Sequence, residues 1–267
     1  MEGAGESTLL VKAVWSVALV LGLAFIAERV STRIAGIVSG APLNIVLVYV
    51  FVGIERGTDH IVQSTPHSMA AFTATLAFVL GYFWAASRIV FLASISSALV
   101  GLTAFFAVAA LLAQFEFSIA GALWVTMLTL IFAVWALRRV PFEPIERPVR
   151  YTSRLILFRG ATAAFLVLLV ISIAQSTGPQ WTGLMTGFPG TLLPTLLILH
   201  ATYGAAPTQA LLRNIPLGLG SILIFVLCVR VTYPTLGLLP GTLVAVLPSL
   251  VYLTVIAYLP ASRANTR

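Results

Sequence analysis

Long uninterrupted apolar runs, bounded by single or paired charged residues, follow one another along almost the whole chain. A run of about 20 apolar residues crosses a bilayer as an α-helix. Every backbone N–H and C=O in hydrocarbon must be paired, and continuous runs favour helices over the alternating strands of a β-barrel. The pattern therefore predicts an all-α integral membrane protein with nine transmembrane helices. The predicted spans are residues 9–28, 34–53, 67–86, 89–113, 118–137, 155–174, 181–203, 209–232 and 235–259.

Composition supports a membrane protein over a soluble one. Of the 267 residues, 60% are hydrophobic and only 9% are charged, with a mean hydropathy of +1.05, whereas roughly a quarter of the residues of a soluble domain are charged. The net charge of +7 comes from basic residues at the ends of apolar runs, which is typical of topology anchors and not of nucleic-acid binding. We therefore expect the lipid bilayer, and no nucleic acid, as a partner. The single cysteine, Cys228, excludes an intrachain disulfide, and the first apolar run lacks the features of a cleavable signal.

Basic residues also predict the orientation in the membrane. Only Lys12, Arg56 and Arg230 lie outside if the N-terminus is outside. The twelve basic residues then on or near the inside are Arg29, Arg33, Arg88, Arg138, Arg139, Arg147, Arg150, Arg154, Arg159, Arg213, Arg263 and Arg267. The prediction is a multi-pass protein of the cell (inner) membrane, with its N-terminus outside and its C-terminus in the cytoplasm.

A pattern of glycine and proline occurs twice at a fixed spacing. Residues 36–42 read Gly-Ile-Val-Ser-Gly-Ala-Pro and residues 183–189 read Gly-Leu-Met-Thr-Gly-Phe-Pro, and Gly57 and Gly204 each follow fifteen residues after the proline. The shift is 147 residues throughout, and it also aligns Lys12 with Arg159. Glycine and proline have backbone roles that a random apolar sequence does not reproduce in register. The spacing therefore predicts an internal duplication.

The duplication divides the chain into two equivalent parts. The first four spans, residues 1–113, form one repeat and residues 155–267 form the other. Residues 114–137 form a connecting transmembrane helix, and residues 138–154 are a proline-rich, charged cytoplasmic linker. One extra span between two even-numbered repeats reverses the second, so we expect inverted-topology repeats related by a two-fold axis in the membrane plane. Secondary transporters use this arrangement.

The first copy also carries a family pattern. It reads Ile34-Ala35-Gly36, then Pro42, then Glu55-Arg56-Gly57, with Lys12 early in the first span. This resembles the GlpM-like family of small inner-membrane proteins, which are about half this length and have four predicted spans. The second half keeps the glycines and the proline but has Thr202-Tyr203 at the place of Glu55-Arg56. The resemblance implies a duplicated, fused and diverged version of that architecture rather than a particular activity.

The two Gly-x-x-x-Gly-x-Pro elements allow two interpretations. Small residues at this spacing let helices pack closely, and proline kinks or breaks a helix. The elements are therefore either packing grooves with a kink, or discontinuous helices whose freed backbone contacts a substrate at mid-membrane. The second interpretation predicts that the elements meet near the bilayer centre, with Asn44 and Thr191 as polar groups of the pathway. The predicted pathway residues are Gly36, Gly40, Pro42, Asn44, Gly183, Gly187, Pro189, Thr191, Lys12 and Arg159.

Charged and titratable residues add candidates for a gate or for proton coupling. Lys12 and Arg159 lie a few residues inside their spans, where they either snorkel to the headgroups or line the two mouths of a pathway. A polar cluster that includes Asp59 and His60 at the outer end of span two is either a solvated loop or part of a gate. His200, which lies within predicted span seven near Tyr203, is either structural or a proton relay. The candidates for gating or proton coupling are Glu28, Glu55, Arg56, His200 and Tyr203.

Enzyme motifs are missing from the sequence. There is no HExxH, no GxSxG and no pair of intramembrane carboxylates, so we expect neither an enzyme nor a cofactor. His60 and His67 could bind a metal only with two further ligands. The predicted function is a secondary transporter that moves a small solute, with a weak preference for an anion, by alternating access. The alternatives are a non-transporting membrane assembly or accessory protein for the envelope or for polysaccharide export, and a channel. The oligomeric state stays open, a homodimer included.

Overall fold

The computed structural model describes residues 41–138 and 161–258, apart from 163–164, 167, 174–175 and the side chains of 43–44. All regular elements in these ranges are α-helices, as the apolar runs predict. In chain order they are α1 Leu43–Arg56, α2 Thr58–Ala86, α3 Ala93–Leu112, α4 Ile119–Leu137, α5 Pro179–Thr186, α6 Leu192–Tyr203, α7 Ala205–Leu236 and α8 Leu238–Tyr258. A further helical segment within 161–176 is described in part.

Five of these helices, α2, α3, α4, α7 and α8, are long and apolar enough to cross a bilayer. They identify the chain as a membrane protein, while the count of nine spans and the direction of the termini stay predictions. Helices α1 and α6 have only 14 and 12 residues. At 1.5 Å per residue they are about 21 and 18 Å long, so neither can cross a hydrocarbon core of about 30 Å.

Helices α2 and α7 form the centre of the described bundle. In their most apolar stretches 67% and 56% of the residues are buried, against 17% in α4. The outer side of α4 exposes Trp124, Leu128, Ile131 and Trp135, which are side chains suited to contact lipid. The sequence alone does not separate central from peripheral helices, because both kinds are apolar.

The two central helices run antiparallel. Near the start of α2, the Val62 carbonyl accepts a long hydrogen bond of 3.5 Å from the Arg230 guanidinium, which lies near the end of α7. Near the end of α2, the Phe83 carbonyl accepts one of 3.4 Å from the Gln209 amide, which lies near the start of α7. Contacts that pair the start of one helix with the end of the other require opposite directions.

The short helices pack in a reciprocal manner. Helix α1 contacts α2, which follows it in the chain, and also α8. Helix α6 contacts α7, which follows it, and also α3. The pairs α2–α3 and α7–α8 pack along each other as hairpins. Each short helix therefore joins its own long helix to the last helix of the other half.

The predicted polar loop between spans two and three is wrong. Helix α1 continues to Arg56 and α2 already begins at Thr58, with Gly57 at φ +85° as the joint. Proline at position 66 leaves the Val62 carbonyl without its helical partner, and this carbonyl accepts from the Thr65 hydroxyl at 2.7 Å instead. Hydropathy is low over this stretch, but the Ser64 and Thr65 hydroxyls bond to carbonyls of the same helix and His60 bonds to Thr182 of α5, so the stretch stays helical.

The predicted two-residue turn between spans three and four is also wrong. The connection covers residues 87–92, because the N–H of Ile89 bonds to the Ala85 carbonyl and Leu92 adopts φ +43° before α3 begins. Arg88 lies 5.6 Å from the ring centre of Trp84, a basic and aromatic pair typical of a membrane interface. The predicted limits of spans four, five, eight and nine agree with α3, α4, α7 and α8 to within a few residues.

Candidate functional site

The predicted span seven is interrupted at its proline element. Helix α5 ends at Thr186 and α6 begins at Leu192. The Gly187 and Phe188 N–H groups bond three residues back, which tightens and closes the last turn of α5. The N–H of Leu193 then bonds to the Pro189 carbonyl at 2.8 Å and starts the next helix. The sequence predicts a kink or a break here, and the structure has a break.

The first proline starts its helix in the same way. Pro42 precedes α1, and the Val46 N–H bonds to the Pro42 carbonyl at 2.9 Å. This bond and the one from Leu193 to Pro189 are related by the shift of 147 residues. Both short helices also end at a glycine of nearly the same conformation, Gly57 at φ +85° and Gly204 at φ +80°.

Glycines 183 and 187 bring α5 into direct contact with the backbone of α2. A Cβ atom at Gly183 would lie 2.5 Å from the Ser64 carbonyl oxygen, and one at Gly187 would lie 2.8 Å from the Ala71 carbonyl oxygen. The Thr75 hydroxyl on α2 donates to the Gly187 carbonyl at 2.7 Å. In the second copy, Gly-x-x-x-Gly is therefore a close-packing groove.

A small cavity of about 40 Å³ lies where the interrupted helix meets α1, α2 and α7. It holds about one water molecule. The residues that line it are Ala41, Ile45, Phe72, Thr75, Thr186, Gly187, Phe188, Pro189, Thr191, Leu192, Ile215, Leu219 and Ile222. Gly187, Pro189 and Thr191 are predicted pathway residues, and the start of α1 beside Pro42 faces the same space.

Residues that the predicted duplication pairs with each other line this cavity together. Four pairs of lining residues are separated by 147 positions. These pairs are Ala41 with Phe188, Ile45 with Leu192, Phe72 with Leu219, and Thr75 with Ile222. The cavity therefore lies between the two predicted repeats, and both contribute residues to its lining.

The cavity is mainly apolar. Its hydroxyls belong to Thr75, Thr186 and Thr191, and the first two donate to the carbonyls of Gly187 and Gly183. No charged side chain lines it among the described residues. The starts of α1 and α6 lie at the cavity, and each contributes partial positive charge because it is the N-terminus of a helix.

All three histidines of the chain lie on α2 or against it. His60 bonds to the Thr182 hydroxyl of α5 at 2.9 Å, and the His67 ring N–H donates to the Phe115 carbonyl at 3.1 Å. The Nδ1 atom of His200 in α6 lies 3.2 Å from the Tyr82 hydroxyl. His60 and His67 are two helical turns apart, about 10 Å, and have different partners. They do not form a shared metal site, and no three His, Cys, Asp or Glu side chains in the described ranges lie close enough together to hold a metal ion.

The predicted gate residues are not brought together. Glu55 and Arg56 are exposed at the end of α1, whereas His200 and Tyr203 lie at the end of α6, with His200 buried. They therefore belong to two separate places. Lys12, Glu28, Gly36, Gly40 and Arg159 lie outside the described residues, as does the side chain of Asn44, and their roles stay predictions.

Sequence reasoning missed two tyrosines. Tyr49 in α1 and Tyr82 in α2 are fully buried and hydrogen-bonded, at 2.7 Å to the Ser68 hydroxyl and at 3.2 Å to the Leu196 carbonyl respectively. A phenol within an apolar span must find a partner for its hydroxyl. That requirement is the signal in the sequence, but it does not identify the partner.

The fold and the site define a polytopic α-helical membrane protein with a central cavity between the starts of two short helices. Comparison of the chain with protein-family models, with curated proteins and with solved structures gives no match.

Proposed function

We propose that this protein is a secondary transporter that moves a small solute by alternating access between two inverted-topology repeats. The observation that carries the proposal is the central cavity, to which both halves contribute corresponding residues at the level where α2 and α7 cross. Binding near the midplane, at the interface between repeats and beside discontinuous helices, is the usual arrangement in such transporters.

The contacts between α2 and α7 support an inverted relation. Under the shift of 147 residues, Gln209 corresponds to Val62 and Arg230 corresponds to Phe83. The contact between Gln209 and Phe83 therefore becomes the contact between Val62 and Arg230 when the halves are exchanged. Corresponding helices that run antiparallel are related by an axis perpendicular to them. For helices that cross the membrane, this axis lies in the membrane plane, at the level of Phe72 and its equivalent.

Inverted repeats favour transport over a passive role in assembly. When the halves exchange conformations, a site at the interface opens first to one side and then to the other. The short helices α1 and α6 do not span the membrane and end at the joints Gly57 and Gly204, so they are the parts suited to move in this proposal. With about 40 Å³ of space, the cavity has room for about one water molecule in the present arrangement.

The solute in this proposal is small and preferably anionic. The preference comes from Lys12 and Arg159 at the two predicted mouths, and the two helix starts at the cavity add partial positive charge. The inner-membrane location, the orientation with the N-terminus outside, and the descent from a duplicated GlpM-like unit belong to the same proposal.

A thermal-shift screen of small anions on the purified protein, followed by flux in reconstituted vesicles, tests the function. The panel is chloride, phosphate, sulfate, acetate and lactate. We expect at least one anion to raise the melting temperature and to show saturable uptake that unlabelled anion inside the vesicles accelerates. Acceleration of uptake by substrate on the opposite side of the membrane is a property of alternating access. Flux without saturation would indicate a channel, and no flux for any stabilising anion would refute transport.

The charges at the predicted mouths supply a second test. A charge that acts about 4 Å from the solute in a medium less polar than water contributes about 1–4 kcal/mol to binding. Lys12→Gln and Arg159→Gln should then each weaken the apparent affinity for the transported anion by about fivefold or more. The measurement is the concentration dependence of flux, with melting temperature as the control for folding. Unchanged affinity in both variants would make these residues topology anchors and remove the preference for anions.

A further inference from the structure

Each short helix meets the long helix of the other half at a buried tyrosine. The Tyr82 hydroxyl on α2 donates to the Leu196 carbonyl on α6 and lies 3.2 Å from Nδ1 of His200. The Tyr49 ring on α1 lies between two aromatic rings of α7, with centroid distances of 5.9 Å to Phe225 and 6.4 Å to Tyr233. Both tyrosines have no solvent exposure.

The two junctions correspond to each other. Leu196 is the equivalent of Tyr49 under the shift of 147 residues, and Val229 is the equivalent of Tyr82. Phe225 and Tyr233 lie one helical turn on either side of Val229. A tyrosine therefore lies at the same place in both junctions. At one junction it is Tyr82 of the long helix α2, and at the other it is Tyr49 of the short helix α1.

The junctions lie on opposite sides of the cavity. Tyr82 is ten residues beyond Phe72 along α2, and Val229 is ten residues beyond Leu219 along α7. At 1.5 Å per residue each distance is about 15 Å. Because α2 and α7 are antiparallel, the two distances extend toward opposite membrane faces.

From this placement we infer that Tyr82 and Tyr49 are the two gates of the pathway, one toward each side of the membrane. Gates in this sense exist only if the protein is the transporter proposed above. Separation of α6 from α2 breaks the bonds of Tyr82 to Leu196 and His200 and opens the cavity on the side where α2 ends. Separation of α1 from α7 withdraws the Tyr49 ring from its two aromatic neighbours and opens the cavity on the side where α2 begins.

Labelling of one cysteine in the cavity from each side of the membrane tests the gates. Cys228→Ser removes the native thiol, and Thr75→Cys places a thiol of similar size in the cavity lining. The full-length protein is reconstituted, and a membrane-impermeant maleimide is applied from outside or from within the vesicles. Orientation is determined separately with an exposed reporter cysteine.

We expect Tyr82→Ala to accelerate labelling about tenfold from one side, and Tyr49→Ala to accelerate it about tenfold from the other. For Tyr82 such a change corresponds to the loss of its hydrogen bond to α6, and for Tyr49 to the loss of its two ring contacts with α7. Tyr82→Phe and Tyr49→Phe keep the ring and should accelerate labelling less, each from the same side as its alanine variant. They replace the alanine variants if those do not fold. Tyr252→Ala is the matched control, because this tyrosine also donates to a backbone carbonyl, that of Leu217, but belongs to α8.

Acceleration from the same side in both variants, equal acceleration from both sides, or no change would overturn the assignment of the gates. The labelling needs no substrate, whereas the function is tested by flux. Failure of sided labelling with flux intact therefore rejects the gates alone, and absence of flux rejects the transporter whatever the labelling shows.

Discussion

Replacement of Gly183 by alanine should force α5 away from α2. The added Cβ would lie 2.5 Å from the Ser64 carbonyl oxygen, 2.7 Å from the His67 Cβ and 2.8 Å from the Ser68 nitrogen. Two of these three neighbours are backbone atoms within a helix, so they cannot rotate away. An ordinary contact begins at 3.4 Å, and the helices must therefore separate by about 0.9 Å.

The size of the effect follows from this separation. The dispersion attraction of one atom pair in contact is about 0.1–0.2 kcal/mol, and a gap of about 0.5–1 Å removes about a quarter to a half of it. A few tens of pairs along α5 then lose about 1–2 kcal/mol, within the range of about 1–3 kcal/mol for overpacked sites. Such a loss corresponds to a fall in melting temperature of roughly 2–8 °C for a chain of this size.

Thermal unfolding of the purified protein in detergent measures this effect. Gly121→Ala is the matched control, because in the described part of the chain, the local helix backbone aside, its added Cβ would meet only the Ser118 hydroxyl oxygen, at 3.3 Å. Alanine has the higher helix propensity, so this control should melt at the same or a slightly higher temperature. Equal melting temperatures for Gly183→Ala and Gly121→Ala would show that α5 does not pack on the α2 backbone as described.

Two further predictions concern the relation between the halves. A short bismaleimide should cross-link Val62→Cys with Arg230→Cys in a Cys228→Ser background but should not link Val62→Cys with Gln209→Cys, and the reverse result would show parallel central helices. Gly57→Ala and Gly204→Ala should each lower stability by about 1–3 kcal/mol, because both glycines combine a positive φ with an extended ψ, a conformation that essentially only glycine adopts. Unchanged thermal melting of both variants would contradict these joints.

Glycine and proline were the most informative residues in the sequence. The proline element predicted a kink or a break near Pro189, and the structure interrupts the helix there. Apolar length located α3, α4, α7 and α8 to within a few residues. Both signals report local backbone chemistry, which depends little on the rest of the fold.

Polar groups within the helices were harder to interpret. A hydropathy average treats residues 58–66 as a loop because they are polar. In the structure they are helical, and His60 has a partner, Thr182, more than a hundred residues away in the sequence. The roles of Tyr49 and Tyr82 likewise depend on partners in distant helices. Sequence spacing gives no information on which distant segment satisfies a buried polar group, so these contacts required the structure.

The two interpretations of the Gly-x-x-x-Gly-x-Pro element are complementary in the second copy. Gly183 and Gly187 hold α5 directly against the backbone of α2, so this part of the element is a fixed contact. Pro189 lies beyond the last turn of α5 and separates it from α6, so the fixed contact does not extend to α6. Helix α6 instead packs on α3, bonds to Tyr82 of α2 and continues into α7 through Gly204. Close packing by the glycines anchors one side of the cavity, and the break at the proline separates the other side from that contact, which is the combination that the proposed pathway requires.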